Sequence, residues 1–133
     1  MLETHINDYG TIPVISFGVR YDFAGGDLPY WIHSEKSLPI QLHHHSEPEL
    51  IYITKGSMDT DINAEHNIIR EGELMIASPY DLHRAKFIDT NEILEYHCLI
   101  FELSILSGCG TDAARIIDEL RQGARRFPIK LTG

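Results

Sequence analysis

His43-His44-His45-Ser46-Glu47-Pro48-Glu49-Leu50-Ile51-Tyr52-Ile53-Thr54-Lys55-Gly56 is the stretch on which the reading of this 133-residue chain turns. Its first half crowds three imidazoles and two carboxylates into seven positions. Its second half is a β-branched and aromatic run of strand length, bounded by Pro48 and Gly56. Successive side chains of a strand point to opposite faces, so His43 and His45 share a face and His44 takes the other. Glu49, Ile51 and Ile53 share a face of the next strand, and the break at Pro48 lets Glu49 return toward the two histidines. Two imidazoles and a carboxylate converging inside a β structure suit a divalent first-row ion with open coordination positions. His83 supplies a fourth candidate, after the apolar run Leu74–Ala77 and the turn Ser78-Pro79-Tyr80-Asp81-Leu82. The same four residues also fit a hydrogen-bonded polar lining without metal, and the two readings stay open at this level.

Working outward, further strand-like runs stand at Thr11–Val19, Ile40–His45, Leu50–Thr54, Ser57–Ile62, Asn67–Ile69, Leu74–Ala77 and Ile93–Leu103. Gly25-Gly26, Pro39, Lys55-Gly56, Glu71-Gly72, Pro79 and Gly108 punctuate them. Short strands at this spacing predict a mainly β sandwich or small barrel and not alternating βαβ units. Asn63–His66 reads as a four-residue hairpin loop. Near the end, Ala113, Ile116, Ile117 and Leu120 fall at helical spacing, with Thr111 as N-cap, Asp112 in the first turn and Gly123 at the C-terminal end. The spacing predicts a helix of about three turns with one apolar stripe on the barrel. Residues 1–133 read as one domain. Phe127 to Gly133 form no recognisable closing element, so the natural chain is expected to continue.

The charge balance excludes one class of partner. Lys and Arg number 11 against 20 Asp and Glu, and only 6 of those basic residues precede residue 111, against 17 acidic ones. An acidic body does not present the Lys/Arg surface that attracts phosphates, so this chain does not itself grip nucleic acid. The basic end (Arg115, Arg121, Arg125, Arg126, Lys130) reads as the solvated face of a helix and its exit. No run approaches the ~20 apolar residues of a membrane span. The first residues lack a secretory pattern, and two cysteines make no disulfide framework, so a cytoplasmic location is expected.

Other residues read more plainly. Tyr30 and Trp31 are candidates to stack on the ring of a bound small molecule, with packing at the barrel edge as the alternative. Arg20 and Arg84 are expected to pair with carboxylates of the chain. His97 reads as a satisfied core histidine, Cys98 as a buried small hydrophobe and Cys109 as a loop thiol. No nucleophile elbow, phosphate loop or dinucleotide glycine pattern occurs.

The pattern His43-x-His45-x3-Glu49-x6-Gly56, with Gly72, Pro79 and His83, resembles the two motifs of the cupins. It departs from enzyme cupins at Ser37, where they carry Gly, at Asp81, where they carry Gly again, and in placing His83 four residues after Pro79. In those departures it resembles the sensor domain of AraC-type transcriptional regulators, whose blocks read H-x-H-x3-E-hydrophobic-Y-hydrophobic-x2-G and G-D-L-x-L-I-x-P-x3-H. Here they stand as His43–Gly56, with Tyr52, and as Gly72–His83. Tyr96–Phe101 looks like that family's next core strand, and the likeness runs over about residues 35–130.

The resemblance implies a double-stranded β-helix barrel (a jelly roll) with a short C-terminal helix. It implies a sensor, not an enzyme, that binds a small effector, a sugar or related metabolite, in the barrel interior. Its effector site would comprise His43, His45, Glu49, His83, Trp31 and Tyr30. The metal set would be His43, His45, Glu49 and His83, holding Zn, Ni, Fe or Mn, or no ion. The resemblance further implies control of a helix-turn-helix DNA-binding domain beyond this chain, with a homodimer as a family expectation. The alternative is a free-standing metal-dependent cupin enzyme, a dioxygenase or isomerase, which the three-His-one-Glu set favours.

Overall fold

The computed structural model describes residues 5–6, 13–22, 40–89 and 92–132. Tyr30, Trp31 and Ser37 lie outside the described residues. The elements run β1 (His5–Ile6), β2 (Pro13–Tyr21), β3 (Ile40–His43), β4 (Glu49–Lys55), β5 (Ser57–Ile62), β6 (Glu65–Arg70), β7 (Leu74–Ala77), β8 (His83–Phe87), β9 (Leu94–Phe101), α1 (Ala113–Arg121) and β10 (Lys130–Leu131). They form two antiparallel sheets, one ordered β1-β2-β9-β4-β7-β10 and one ordered β3-β8-β5-β6. Consecutive strands repeatedly change sheet, which is the jelly-roll arrangement the resemblance implies and one form of the sandwich or barrel the strand spacing predicts.

Alternation along each strand builds the interior. On β4, Glu49, Ile51 and Ile53 are buried while Tyr52 is exposed; on β5, Met58, Thr60 and Ile62 are buried. Ile51, Ile53, Met58, Ile62, Ile69 and Ala85 are fully enclosed, with Met75, Leu94, Tyr96 and Cys98 beside them. Each such Ile or Met side chain contributes roughly 1.5–3 kcal/mol by burial. A second cluster lies outside the larger sheet. There Ile117 and Leu120 of α1 pack with Phe101 and Leu103 against Val14, Leu50 and Leu99. The polar face of α1 carries Arg115 and Glu119, whose side chains are bonded at 3.0 Å, and Glu119 also takes Arg125 at 2.7 Å.

Gly56 earns its place in the first block by geometry. Its φ is +78°, and a Cβ there would stand 2.4 Å from the carbonyl oxygen of Ile93. Backbone cannot give way as a flexible side chain can, so only glycine fits the turn between β4 and β5.

Several sequence expectations need correction. β3 ends at His43, so His45 stands in the loop and not on the strand. The hairpin between β5 and β6 closes on two residues, Asn63 and Ala64, with φ of 49° and 67°. That pair of positive φ values is the tight turn whose twist matches a strand pair, so β6 begins earlier than its apolar residues suggest. The helix starts at Ala113 after Asp112, which caps it without a side-chain hydrogen bond, in place of Thr111. Residues 127–131 do form a closing element, because β10 pairs with β7. Lastly, His97 is exposed, not a core residue. Leu94, Tyr96 and Cys98 take the inward positions of β9, so the period of two sends His97 to the outer face. No helix among the described residues is long and apolar enough to cross a membrane.

Candidate metal and effector site

Glu49 is the hub. It opens β4 with its side chain inward and is 4% exposed. Its Oε2 lies 2.5 Å from His83 Nε2, 3.4 Å from His45 Nε2 and 3.9 Å from His43 Nε2. One ligand atom from each of these four residues falls within 4.8 Å of all the others. The sequence-predicted quartet is therefore one cluster, at the end of the barrel where β3 stops and β4 and β8 begin.

Each histidine arrives by a different route. His43 and His83 are direct cross-strand partners on β3 and β8, and their rings lie 4.2 Å apart. His45 turns back from the loop, with its ring 5.1 Å from His43 and 5.2 Å from His83. His44, between them, is exposed, as its parity predicts. The loops are tied together, since Tyr80 N–H donates to His45 O at 2.7 Å.

The ring orientations are set by backbone. His43 Nδ1 contacts Gln41 O at 2.6 Å, His45 Nδ1 contacts Glu47 O at 2.7 Å, and His83 Nδ1 contacts Asp81 O at 2.8 Å. A carbonyl only accepts, so all three Nδ1 atoms carry hydrogen and donate it. Each Nε2 is thereby aimed at Glu49, the disposition of metal-ligating imidazoles whose outer nitrogen is held by a second partner. His45 Nε2 is buried with no hydrogen-bond partner. A buried ring nitrogen without a hydrogen-bond partner, beside a buried carboxylate, has the chemistry of a metal ligand, so the quartet fits a divalent ion.

Electrostatics agree. Burial would raise the Glu49 carboxyl, but the imidazoles of His45 and His83 and the Cys98 thiol outweigh it and hold it well below the carboxylate range. Burial lowers His45, yet the Glu49 carboxylate prevails and raises it above 6.5. His43 goes the other way; burial dominates and lowers it, against the pull of the Gln41 carbonyl.

Cys98, which the sequence presents only as packing, also joins the cluster. Cys98 Sγ donates to Glu49 Oε1 at 3.1 Å, so the carboxylate is held by a thiol on one oxygen and faces imidazoles with the other. Burial, then the Glu49 charge, pushes that thiol far up. The signal that could have found it is parity: Cys98 is the cross-strand partner of Ile51, two residues along the same face from Glu49. Phe17 pairs with Cys98 from the other side and, though on that inward face, is 43% exposed. It offers an exposed apolar ring beside Cys98 on the larger sheet.

The remaining candidates stand apart. Arg20 pairs with Glu95 at 3.2 Å and Arg84 with Asp61 at 2.8 Å, as expected of the plain reading. Cys109 is exposed.

With this geometry in view, comparison with known proteins is direct. The family model described as the AraC-like ligand binding domain matches residues 33–124, more than half of the chain. The chain belongs to the AraC-like ligand binding domain family. An AraC-like domain built around a His-His-Glu-His cluster is thus what the fold presents. No curated protein matches the chain in sequence. Among solved structures, a cupin domain of Schizosaccharomyces pombe Cnp3 is similar at TM-score 0.49 and 14% identity, over 73% of this chain and 62% of that one. An RmlC-like cupin from Shewanella frigidimarina is similar at TM-score 0.48 and 13% identity, over 74% and 84%. A predicted oxalate decarboxylase from Thermotoga maritima is similar at TM-score 0.42 and 26% identity, over 45% of this chain and 52% of that one. The chain thus spans about half the length of the Thermotoga protein.

Proposed function

We propose that this AraC-like domain senses a small molecule through a divalent cation, Zn, Ni, Fe or Mn, held by His43, His45, Glu49 and His83. The observation that carries the reading is the orphaned His45 Nε2 beside Glu49, within three imidazoles whose outer nitrogens are already committed. Four donors leave coordination positions for an oxygen-bearing effector, and a sugar or related metabolite is the class proposed. The apolar core fills the interior below the cluster. The effector therefore approaches from the loop end, in place of a seat deep in the barrel, with Phe17, Tyr30 and Trp31 as proposed contacts.

Occupancy would favour one conformation of the domain and so control a DNA-binding domain outside these residues, in a cytoplasmic homodimer. A ligand achieves this only by binding one state more tightly. The four-donor set supports a second reading, a metal-dependent enzyme such as a dioxygenase or isomerase. Titration calorimetry decides between them, run first with each metal and then with sugars and sugar acids on the loaded protein, beside His45→Ala. The sensor reading expects metal and effector binding that both fall in His45→Ala, with the effector recovered unchanged. Unaltered binding in that variant sinks the site, and a converted effector favours the enzyme.

A further inference from the structure

Residues 125–131 follow the stretch matched by the family and hold none of the four donors, yet they reach the site. Arg126 Nη2 donates to Asp81 Oδ2 at 2.6 Å, and Phe127 N–H donates to Ser78 Oγ at 2.9 Å. Further on, Ile76 N–H donates to Ile129 O at 2.9 Å, and Lys130 Nζ donates to Ile68 O at 3.0 Å. The segment thus lies along β7 and fastens onto the loop that ends at His83.

Asp81 faces both ways. Its carboxylate takes Arg126, the Ser78 N–H at 2.9 Å and Asn63 Nδ2 at 2.9 Å, while its carbonyl takes the His83 Nδ1–H. We infer that residues 125–131 act as a latch, that Arg126 is a positioning residue for His83, and that latch docking and site occupancy are coupled through Asp81. The inference rests on the cation reading above for its probe.

The argument is one of fixed directions. Asp81 is 4% exposed, so its charge depends on the partners it has. Without the guanidinium, that carboxylate draws toward water and takes its own carbonyl, the rest of His83, with it. In return, an ion that holds His83 Nε2 fixes the Asp81 carbonyl and with it the carboxylate that Arg126 grips. Linkage makes the two effects equal in factor. The Arg126 side chain is itself 43% exposed, so its removal leaves no cavity and the fold survives the test.

The experiment compares the wild-type chain with Arg126→Ala and Arg126→Lys. It reads cobalt(II) affinity, amide exchange at Phe127 with and without cobalt, and the His83 Nδ1–H resonance in the cation-free protein. The latch predicts cobalt binding weakened about tenfold in Arg126→Ala, within the 5–150-fold range of such couplings, and partly restored in Arg126→Lys. It also predicts Phe127 exchange slowed about tenfold by cobalt in the wild type. An Arg126→Ala protein with lower thermal stability but unchanged cobalt affinity and His83 resonance overturns it, leaving a structural strap. If the wild type takes no cobalt, the cation reading falls alone. The His83 resonance then decides the latch: displaced in Arg126→Ala it stands, unmoved it falls.

Discussion

Two buried carboxylates stand at the same end of this barrel, and they are provided for in opposite ways. Glu49 and Asp81 are equally hidden, each 4% exposed. Asp81 has a backbone N–H, an amide N–H and a guanidinium on its two oxygens, a charge fully answered by groups that keep their protons. Glu49 has imidazoles and a thiol, none of them a permanent cation. The difference is one of partners: the chain supplies Asp81 with a permanent cation of its own and Glu49 with none, which is the contrast that the proposed cation site rests on.

Asp81→Ala is the largest expected effect. It strips a buried Ser78 N–H and the Asn63 amide of their acceptor and releases Arg126. Breaking such a buried set costs about 3 kcal/mol, read as a lower urea midpoint at unchanged slope. A loss under about 1 kcal/mol would remove the contrast, since Asp81 would then be no more committed than Glu49.

Glu49→Gln should behave in the inverse way. Cation affinity falls by more than the 10–100-fold that an outer partner is worth, because a ligand and its charge go together. Stability of the cation-free protein changes by less than about 1 kcal/mol once pH has risen past the folded value of His45, where that imidazole no longer answers the charge. The pH dependence gives the sign. His45 is raised above 6.5, so its pairing with Glu49 is fully present below pH 6.5 and lost as pH rises through its folded value. His43 is lowered and acts below 6.5, in the opposite sense. Above pH 6.5 the cation-free wild type therefore loses stability with rising pH, while Glu49→Gln is flat. Parallel profiles would mean that Glu49 is balanced some other way.

How much of this contrast the sequence carries differs between the two acids. Glu49 is legible because its block is local: histidines two apart, a Pro break and a run of Ile at period two. Parity then assigns the inward face without any long-range knowledge. Asp81 is illegible, since its partners Asn63 and Arg126 are 18 and 45 residues away. β8 hides for a related reason. His83, Ala85 and Phe87 point inward between Arg84 and Lys86, and with only one large apolar residue among them the alternation does not announce a strand. β10 is two residues long and exists only because β7 offers an edge. His97 shows the opposite failure: a polar residue in an apolar run reads as a core residue, although the alternation of β9 turns it outward.

Cys98 tests a finer point, whether the thiol serves Glu49 or merely fills space. Cys98→Val keeps the volume and removes the donor; Cys98→Ser keeps a donor. Cobalt affinity is expected to fall about tenfold in the valine variant, the lower end of an outer partner's contribution, and to stay near wild type in the serine variant. Equal affinities in both would return Cys98 to the role of packing residue.

The smallest effect belongs to His97→Ala, which removes an imidazole from the same strand as Cys98, one residue away but on the other face. It is exposed, its ring lies against Gly18, and it meets neither acid. Thermal unfolding and cobalt titration should both match the wild type, stability within about 0.5 kcal/mol. Because His97 and Cys98 are neighbours in sequence, the pair asks whether the strand's alternation alone decides which of them belongs to the site. A change in cobalt affinity in His97→Ala would show that Glu49 answers to charges on the far side of the sheet. The boundary between the acid that is closed and the acid that is open would then have to be drawn wider than its contacts.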